Sequence, residues 1–88
     1  MNRLEAMSLF ARVAELGSFT AAASQLGVAR SVVTRQIAAL EEHLGAKLMV
    51  RSTRRLSLTS AGSAYLEKCR TILALVEEAE AGVMEERL

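Results

Sequence analysis

Three glycines divide the first half of this chain and constrain its fold more than any other feature. Gly17, Gly27 and Gly45 each follow a run of apolar residues that repeats with the period of an α-helix. Glycine readily adopts the left-handed conformation that ends many helices, so each glycine marks a helix C-terminus. The sequence therefore predicts three short helices, over about Leu4 to Leu16, Phe19 to Leu26 and Arg30 to Leu44.

Each predicted helix has one apolar face that we expect to pack into a core. The residues expected to point inward are Leu4, Met7, Phe10, Val13, Ala14, Phe19, Ala22, Ala23, Leu26, Val33, Ile37, Leu40 and Leu44. Ser18 stands where an N-cap of the second helix is expected. On the opposite side of the third helix, near its N-terminus, lie Ser31, Arg35 and Ala38, with Thr34 beside them. That outer face is small and basic.

After Gly45 the apolar period changes from that of a helix to that of a strand. Leu48 to Arg51 and Arg55 to Leu58 read as two short strands, joined by residues 52–54. Leu48 and Val50 are expected on one face, and the second strand alternates in the same way. A two-stranded ribbon is not stable alone, so it must lean on the helices.

The last third of the chain reads as one long helix, capped by Thr59 or Ser60. Its apolar seam has a heptad-like spacing of four, three, four, three and four, through Tyr65, Cys69, Ile72, Val76, Ala79 and Val83. A domain this small cannot cover such a seam, so we expect a second copy of the chain to do so. The predicted division is a head over residues 1–58 and a dimerisation helix over residues 59–88.

Composition limits the classes of protein that remain. Cys69 is the only cysteine, which excludes a disulfide within one chain of these 88 residues and suggests a reducing, cytoplasmic location. His43 is the only histidine and has no partners for a metal site. No apolar stretch is long enough to span a membrane. We find no carboxylate pair, Ser–His set or glycine-rich phosphate loop, so the sequence predicts neither an enzyme nor a cofactor.

Charge is distributed unevenly along the chain. The net charge is +1, but residues 28–58 carry six basic and two acidic side chains, whereas residues 59–88 carry three basic and six acidic ones. A basic middle beside an acidic end is typical of a polyanion binder. The predicted elements follow in the order of a winged helix-turn-helix. They are a helix, a short turn, a second helix with a basic outer face, and a ribbon bearing Arg51, Arg54 and Arg55. On pattern alone, two alternatives remain: a helical hairpin in a small bundle for the two helices, and a solvated turn for the ribbon.

Three collinear strings carry a family resemblance that covers almost the whole chain. Residues 17–23 read GSFTAAA, residues 34–45 read TRQIAALEEHLG, and Arg51 to Arg55 precede LTSAG at residues 58–62. These strings resemble the signatures of the LysR-type transcriptional regulators, and residues 51–59 look most like the CrgA-like subgroup. The resemblance implies a mainly α fold, in which three helices and a two-stranded wing are followed by a long helix that pairs antiparallel in a homodimer. It implies an interrupted palindrome in double-stranded DNA as the partner.

The resemblance also implies roles for individual residues. The DNA contacts of the recognition helix map onto Arg30, Ser31, Thr34 and Arg35, the wing arginine of the minor groove maps onto Arg54 with Arg55 beside it, and phosphate contacts map onto Ser18 and Thr20. Arg30 and Ser31 replace the usual Gln-Pro, so Ser31 is expected to cap the helix or contact phosphate instead. Met49 replaces the usual phenylalanine, which should keep the packing.

A second hypothesis is a pure interaction module, in which the heptad helix does the work and the basic region is solvated surface. A full-length family member would continue into a ligand-sensing domain, so we expect no small-molecule effector site in this chain.

Overall fold

The fold is mainly helical, with a small antiparallel hairpin. The computed structural model describes residues 1–52 and 55–87, whose elements are α1 (Arg3–Leu16), α2 (Phe19–Leu26), α3 (Arg30–Leu44), β1 (Met49–Arg51), β2 (Leu56–Leu58) and α4 (Ser60–Arg87). Gly17, Gly27 and Gly45 are left-handed, with φ of 66°, 69° and 70°. The predicted segmentation is confirmed, and α2 and α3 have the bounds that the sequence predicts.

Side-chain caps fix the start of three helices. Ser18 Oγ accepts a hydrogen bond from the amide of Ala21 at 3.0 Å, which confirms the predicted cap of α2. Asn2 caps α1 in the same way, and Thr59 caps α4 by accepting from the amide of Gly62 at 2.9 Å. The N-cap of α3 is Ala29, which has no side-chain cap. Ser31 therefore does not cap α3, which leaves the contact with phosphate as its expected role.

The core lies where α1 meets the other three helices, and its buried residues come from every element but β2. They are Ala6, Met7, Leu9, Phe10, Val13, Phe19, Ala22, Ala23, Val33, Ile37, Leu40, Leu48, Met49, Leu66 and Cys69. The predicted inward orientation is wrong for three residues: Leu4, Leu26 and Leu44 are 46%, 52% and 41% exposed. Each stands in the first or last turn of its helix, where the apolar stripe extends past its neighbours.

The first strand of the hairpin departs from the predicted pattern, whereas in β2 Leu56 and Leu58 share the face against the core, as predicted. Met49 is buried and Val50 is 54% exposed, so the expectation that Val50 lies on one face with the buried Leu48 is wrong. β1 begins only at Met49, opposite Leu58, and Leu48 is buried in the irregular segment that precedes it. Two consecutive residues therefore point into the core, which strict strand alternation does not allow.

The start of α4 is locked against the segment that leads into β1. The hydroxyl of Thr59 donates to the carbonyl of Lys47 at 2.7 Å, and the amide of Thr59 donates to the carbonyl of Leu48 at 3.0 Å. One turn later Gly62 packs so closely that a β-carbon there would overlap the carbonyl oxygen of Leu48. Glycine is therefore required at position 62 by contact, although it lies within the first turn of a helix.

The two halves of α4 have different surroundings. Leu66 and Cys69 are buried, and Tyr65 and Leu73 pack against the core. Beyond Leu73 every described side chain but that of Val76 is exposed. Nowhere in residues 1–52 and 55–87 is a helix both long enough and apolar enough to cross a membrane. The division at residue 58 stays a prediction about function, since the first turns of α4 share the core with α1.

Candidate nucleic-acid interface

The outer face of α3 presents the polar residues that the sequence singles out. Arg30, Ser31 and Arg35 are exposed, and Thr34 is half-buried. The hydroxyl of Thr34 donates to the carbonyl of Arg30 at 3.1 Å, and Nε of Arg35 donates to the carbonyl of Ser31 at 3.4 Å. Within residues 1–52 and 55–87, the terminal amino groups of Arg35 make no hydrogen bond. These two groups are the pair with which arginine contacts O6 and N7 of guanine.

The start of α2 and the wing lie on either side of one groove. We call it the arginine groove, a hollow of ≈ 170 Å³ lined by Gly17, Ser18, Phe19, Thr20, Arg30, Arg51, Ser52, Arg55 and Leu56. It therefore joins α2, the first residue of α3 and both strands of the hairpin. Of the predicted DNA-binding residues it brings together Ser18, Thr20, Arg30 and Arg55.

The arginine groove is strongly cationic. Among its described lining residues three are arginines and none is acidic. In the described part of the chain the ion pairs are Arg12 with Glu15 and Lys47 with Glu41, so no carboxylate neutralises the groove arginines. Unpaired guanidinium groups attract anions and form two parallel hydrogen bonds with a phosphate.

The hairpin is closed at its tip and tied to α3 at its base. The amide of Ser52 donates to the carbonyl of Arg55 at 2.9 Å, and the amide of Arg55 donates back to Ser52 Oγ at 3.1 Å. At the base, Oε2 of Glu41 accepts from the amides of Leu48 and Met49 at 2.8 and 3.3 Å. Glu41 thus sets the position of the wing relative to α3. Arg54, the predicted minor-groove residue, lies outside the described residues.

Sequence reasoning assigned no role to Glu41, and it named Arg51 only as one of three ribbon arginines suited to a narrow minor groove or to phosphates. The guanidinium carbon of Arg51 lies 4.7 Å from the centre of the Phe19 ring, an arrangement that is attractive for a cation over an aromatic face. Neither interaction has a local spacing rule, because each joins elements that are far apart in sequence. A glutamate seven residues before an apolar strand is no recognisable motif.

The predicted dimer seam is divided between two environments. Cys69 is fully buried in its own chain, and the ring of Tyr65 lies 5.6 Å from that of Phe10. Burial raises the pKa of the Cys69 thiol. The pKa of the Tyr65 hydroxyl is also raised, chiefly by burial and secondly by the charge of a neighbouring Cys69 thiolate. Cys69 is therefore an inert core residue and offers no surface to a partner. Ile72, Ala79 and Val83 are exposed, and Val76 is half-buried.

No group of three or more His, Cys, Asp or Glu side chains within residues 1–52 and 55–87 is arranged to hold a metal ion.

Comparison with known proteins decides the family. Residues 4–63 match the family described as "Bacterial regulatory helix-turn-helix protein, lysR family". The chain belongs to this lysR family. Among its relatives is an HTH-type transcriptional repressor of Pseudomonas aeruginosa, 47% identical over 81 residues, which are 92% of this chain and 26% of that protein. The HTH-type transcriptional regulator CrgA of Neisseria meningitidis is 45% identical over 86% of this chain and 25% of its own length.

Solved lysR-family structures share the fold. The DNA-binding domain of CbnR, crystallised in a complex with DNA, is 39% identical and superposes with a TM-score of 0.88, covering 100% of both chains. The expected winged helix-turn-helix with a long final helix is thereby confirmed. The chain spans about a quarter of the length of the curated relatives it matches.

Proposed function

We propose that this chain binds double-stranded DNA with sequence preference, as a homodimer, and so regulates transcription. The observation that carries the proposal is the arginine groove, in which α2, α3 and the wing meet around three arginines without a carboxylate. The DNA complex of the similar CbnR domain supports the same conclusion. Because a bacterial regulator acts where the chromosome is, we also propose a cytoplasmic location.

In this proposal α3 lies in the major groove and reads base edges. Arg35 contacts guanine through its free terminal amino groups, and Arg30 reads a neighbouring base. The Thr34 hydroxyl proton is already donated to the backbone, so its methyl group and its remaining lone pairs make the contact. Phosphates are held by Ser18, Thr20, Ser31 and Arg55, and Arg54 enters the minor groove. Phosphate contacts supply affinity and base contacts supply the choice of site.

The exposed half of α4 supports dimerisation. At about 100° per residue, Ile72, Val76, Ala79 and Val83 form one stripe, widened by Leu75, which is 58% exposed. A stripe this apolar on a surface helix favours burial against a second copy. Cys69, which is fully buried in its own chain, drops out of the proposed interface, whereas Tyr65 is only partly buried and stays in it.

Charge along α4 favours an antiparallel pair of helices. Lys68 precedes the stripe, whereas Glu85 and Glu86 follow it. An antiparallel pair that matches Ile72 with Val83 of the partner subunit is centred near residue 77. It sets Lys68 close to Glu86 of the partner subunit at both ends of the seam, whereas a parallel pair sets like charges together.

Substitution at Arg35 tests the reading of DNA. Duplexes selected by the protein from a random pool define the preferred site, and binding is then measured to that duplex and to an unrelated one. We expect Arg35→Ala to cost about 1–3 kcal/mol on the selected duplex and to relax discrimination at one base pair. Arg12→Ala removes the same charge from an α1 residue that pairs with Glu15, and is expected to leave discrimination intact.

An equal loss on both duplexes would reduce Arg35 to a phosphate contact. A wild-type chain that shows neither salt-dependent binding nor a preferred duplex would instead support the pure interaction module. A single subunit in sedimentation at micromolar concentration would contradict the homodimer.

A further inference from the structure

We propose that Arg51 is a phosphate-binding residue of the arginine groove, and that the ring of Phe19 holds its guanidinium in place for the DNA backbone. This inference rests on the proposed function and extends it to a residue outside the reading face of α3. It also gives Phe19, otherwise a core residue, a part in positioning that contact.

Both partners of the stack are fixed before any ligand arrives. Phe19 is the first residue of α2 and is only 6% exposed, so its ring is held by the core. Arg51 is the last residue of β1 and pairs with Leu56 across the hairpin. With its guanidinium carbon 4.7 Å from the ring centre, the side chain of Arg51 is restricted at both ends. A group that is already ordered loses less entropy when it binds.

The N–H donors of Arg51 are available for a ligand, because within residues 1–52 and 55–87 no hydrogen bond or ion pair engages them. A guanidinium that lies over a ring uses its face, whereas its N–H donors lie in its own plane and match the oxygens of a phosphate. Arg30 and Arg55 line the same groove, and none of the groove residues is acidic. Three cations around one hollow repel each other unless an anion joins them, which favours a phosphodiester as the ligand.

The position of Arg51 distinguishes a phosphate contact from a base contact. The groove opens between α2 and the wing, whereas the base-reading side chains project from the exposed face of α3. In the helix-turn-helix arrangement the bracing helix crosses the DNA backbone while the next helix enters the major groove. A guanidinium stacked on the first residue of the bracing helix is therefore placed for the backbone.

The test measures binding of the 88-residue chain to the selected duplex and to an unrelated duplex over a series of salt concentrations. We expect Arg51→Gln to weaken binding to both duplexes alike, by about tenfold. The plot of log affinity against log salt should become shallower by about 0.9 for each subunit, because each neutralised phosphate contributes about that much to the slope.

Two further variants separate charge from stacking. Arg51→Lys keeps the charge but not the planar group, so we expect it to keep the salt slope while losing affinity several-fold. Arg12→Gln removes one charge from α1 and is expected to leave the slope unchanged. Circular dichroism checks that each variant is folded.

A wild-type slope and affinity for Arg51→Gln would overturn the inference, while binding by the wild-type chain would leave the proposed function standing. A loss confined to one base pair would assign Arg51 to base reading and would overturn it as well. Wild-type affinity for Arg51→Lys would refute the need for a planar guanidinium over the Phe19 ring. A wild-type chain that binds neither duplex would overturn the proposed function itself.

Discussion

Substituting Gly62 by alanine tests the close packing between α4 and the segment before β1. On propensity alone the change should stabilise the chain, because alanine is favoured over glycine in a helix by up to about 1 kcal/mol. The structure predicts the opposite sign. The new β-carbon would overlap the carbonyl oxygen of Leu48, which is backbone and cannot rotate away as a side chain can.

The magnitude follows from what must move to relieve this overlap. The carbonyl of Leu48 accepts from the amide of Thr59, and the Thr59 hydroxyl both caps α4 and donates to Lys47. Separating the two segments weakens these hydrogen bonds, at about 1 kcal/mol each, and the helix cap, at about 1 kcal/mol. After the gain in helix propensity is subtracted, we expect Gly62→Ala to lower the free energy of unfolding by about 2 kcal/mol.

Gly82→Ala provides the matched control in the same helix. No atom lies within 4 Å of a β-carbon at Gly82, so we expect this change to raise stability by about 0.5–1 kcal/mol. Urea denaturation followed by circular dichroism, at one fixed protein concentration, measures both values. If Gly62→Ala proves as stable as Gly82→Ala, the contact with Leu48 does not constrain α4 and the reasoning is refuted.

Three further predictions concern the wing, the dimer and the thiol. Glu41→Ala leaves two amides without their acceptor and should cost about 1–3 kcal/mol in urea denaturation, whereas Glu41→Gln, which keeps an acceptor oxygen, should cost less; equal costs would argue against these hydrogen bonds. In sedimentation, Lys68→Glu and Glu86→Lys should each weaken the dimer and their combination should restore it, whereas additive losses would contradict the antiparallel register. Burial raises the Cys69 pKa above its ordinary value of 9.0, so iodoacetamide at pH 8 should label the thiol only after denaturation. Because the unfolded chain loses this proton first, the free energy of unfolding should fall as the pH rises past 9. Rapid labelling of the native chain would disprove the burial of the thiol.

Much of the architecture can be predicted from the sequence because its signals are local. The left-handed glycines and the cap at Ser18 act within one helical turn, which explains why the bounds of α2 and α3 are predicted correctly. The exposed outer face of α3 follows in the same way, because helical periodicity places Arg35 opposite the buried residues.

Features set by contacts between distant segments are missed. The wrong phase assigned to Val50 arises because Leu48 is buried from an irregular segment, which a strand pattern cannot anticipate. On α4 the buried face and the exposed apolar stripe differ by only a small rotation about the helix axis. Cys69 of the core and Ile72 of the stripe therefore belong to one heptad pattern. Only the position of α1 separates them. The roles of Glu41 and Arg51 likewise depend on tertiary contacts.

The attachment of the wing to the far end of α3 has a mechanical consequence. Because Glu41 of α3 accepts hydrogen bonds from the amides of Leu48 and Met49, a tilt of α3 moves the hairpin with it. The helix and the hairpin therefore move as one rigid unit. In such a subunit the distance between α3 and the wing can change only little. Residues 77–87 of α4, which are all exposed, have no such attachment to the core of their own chain.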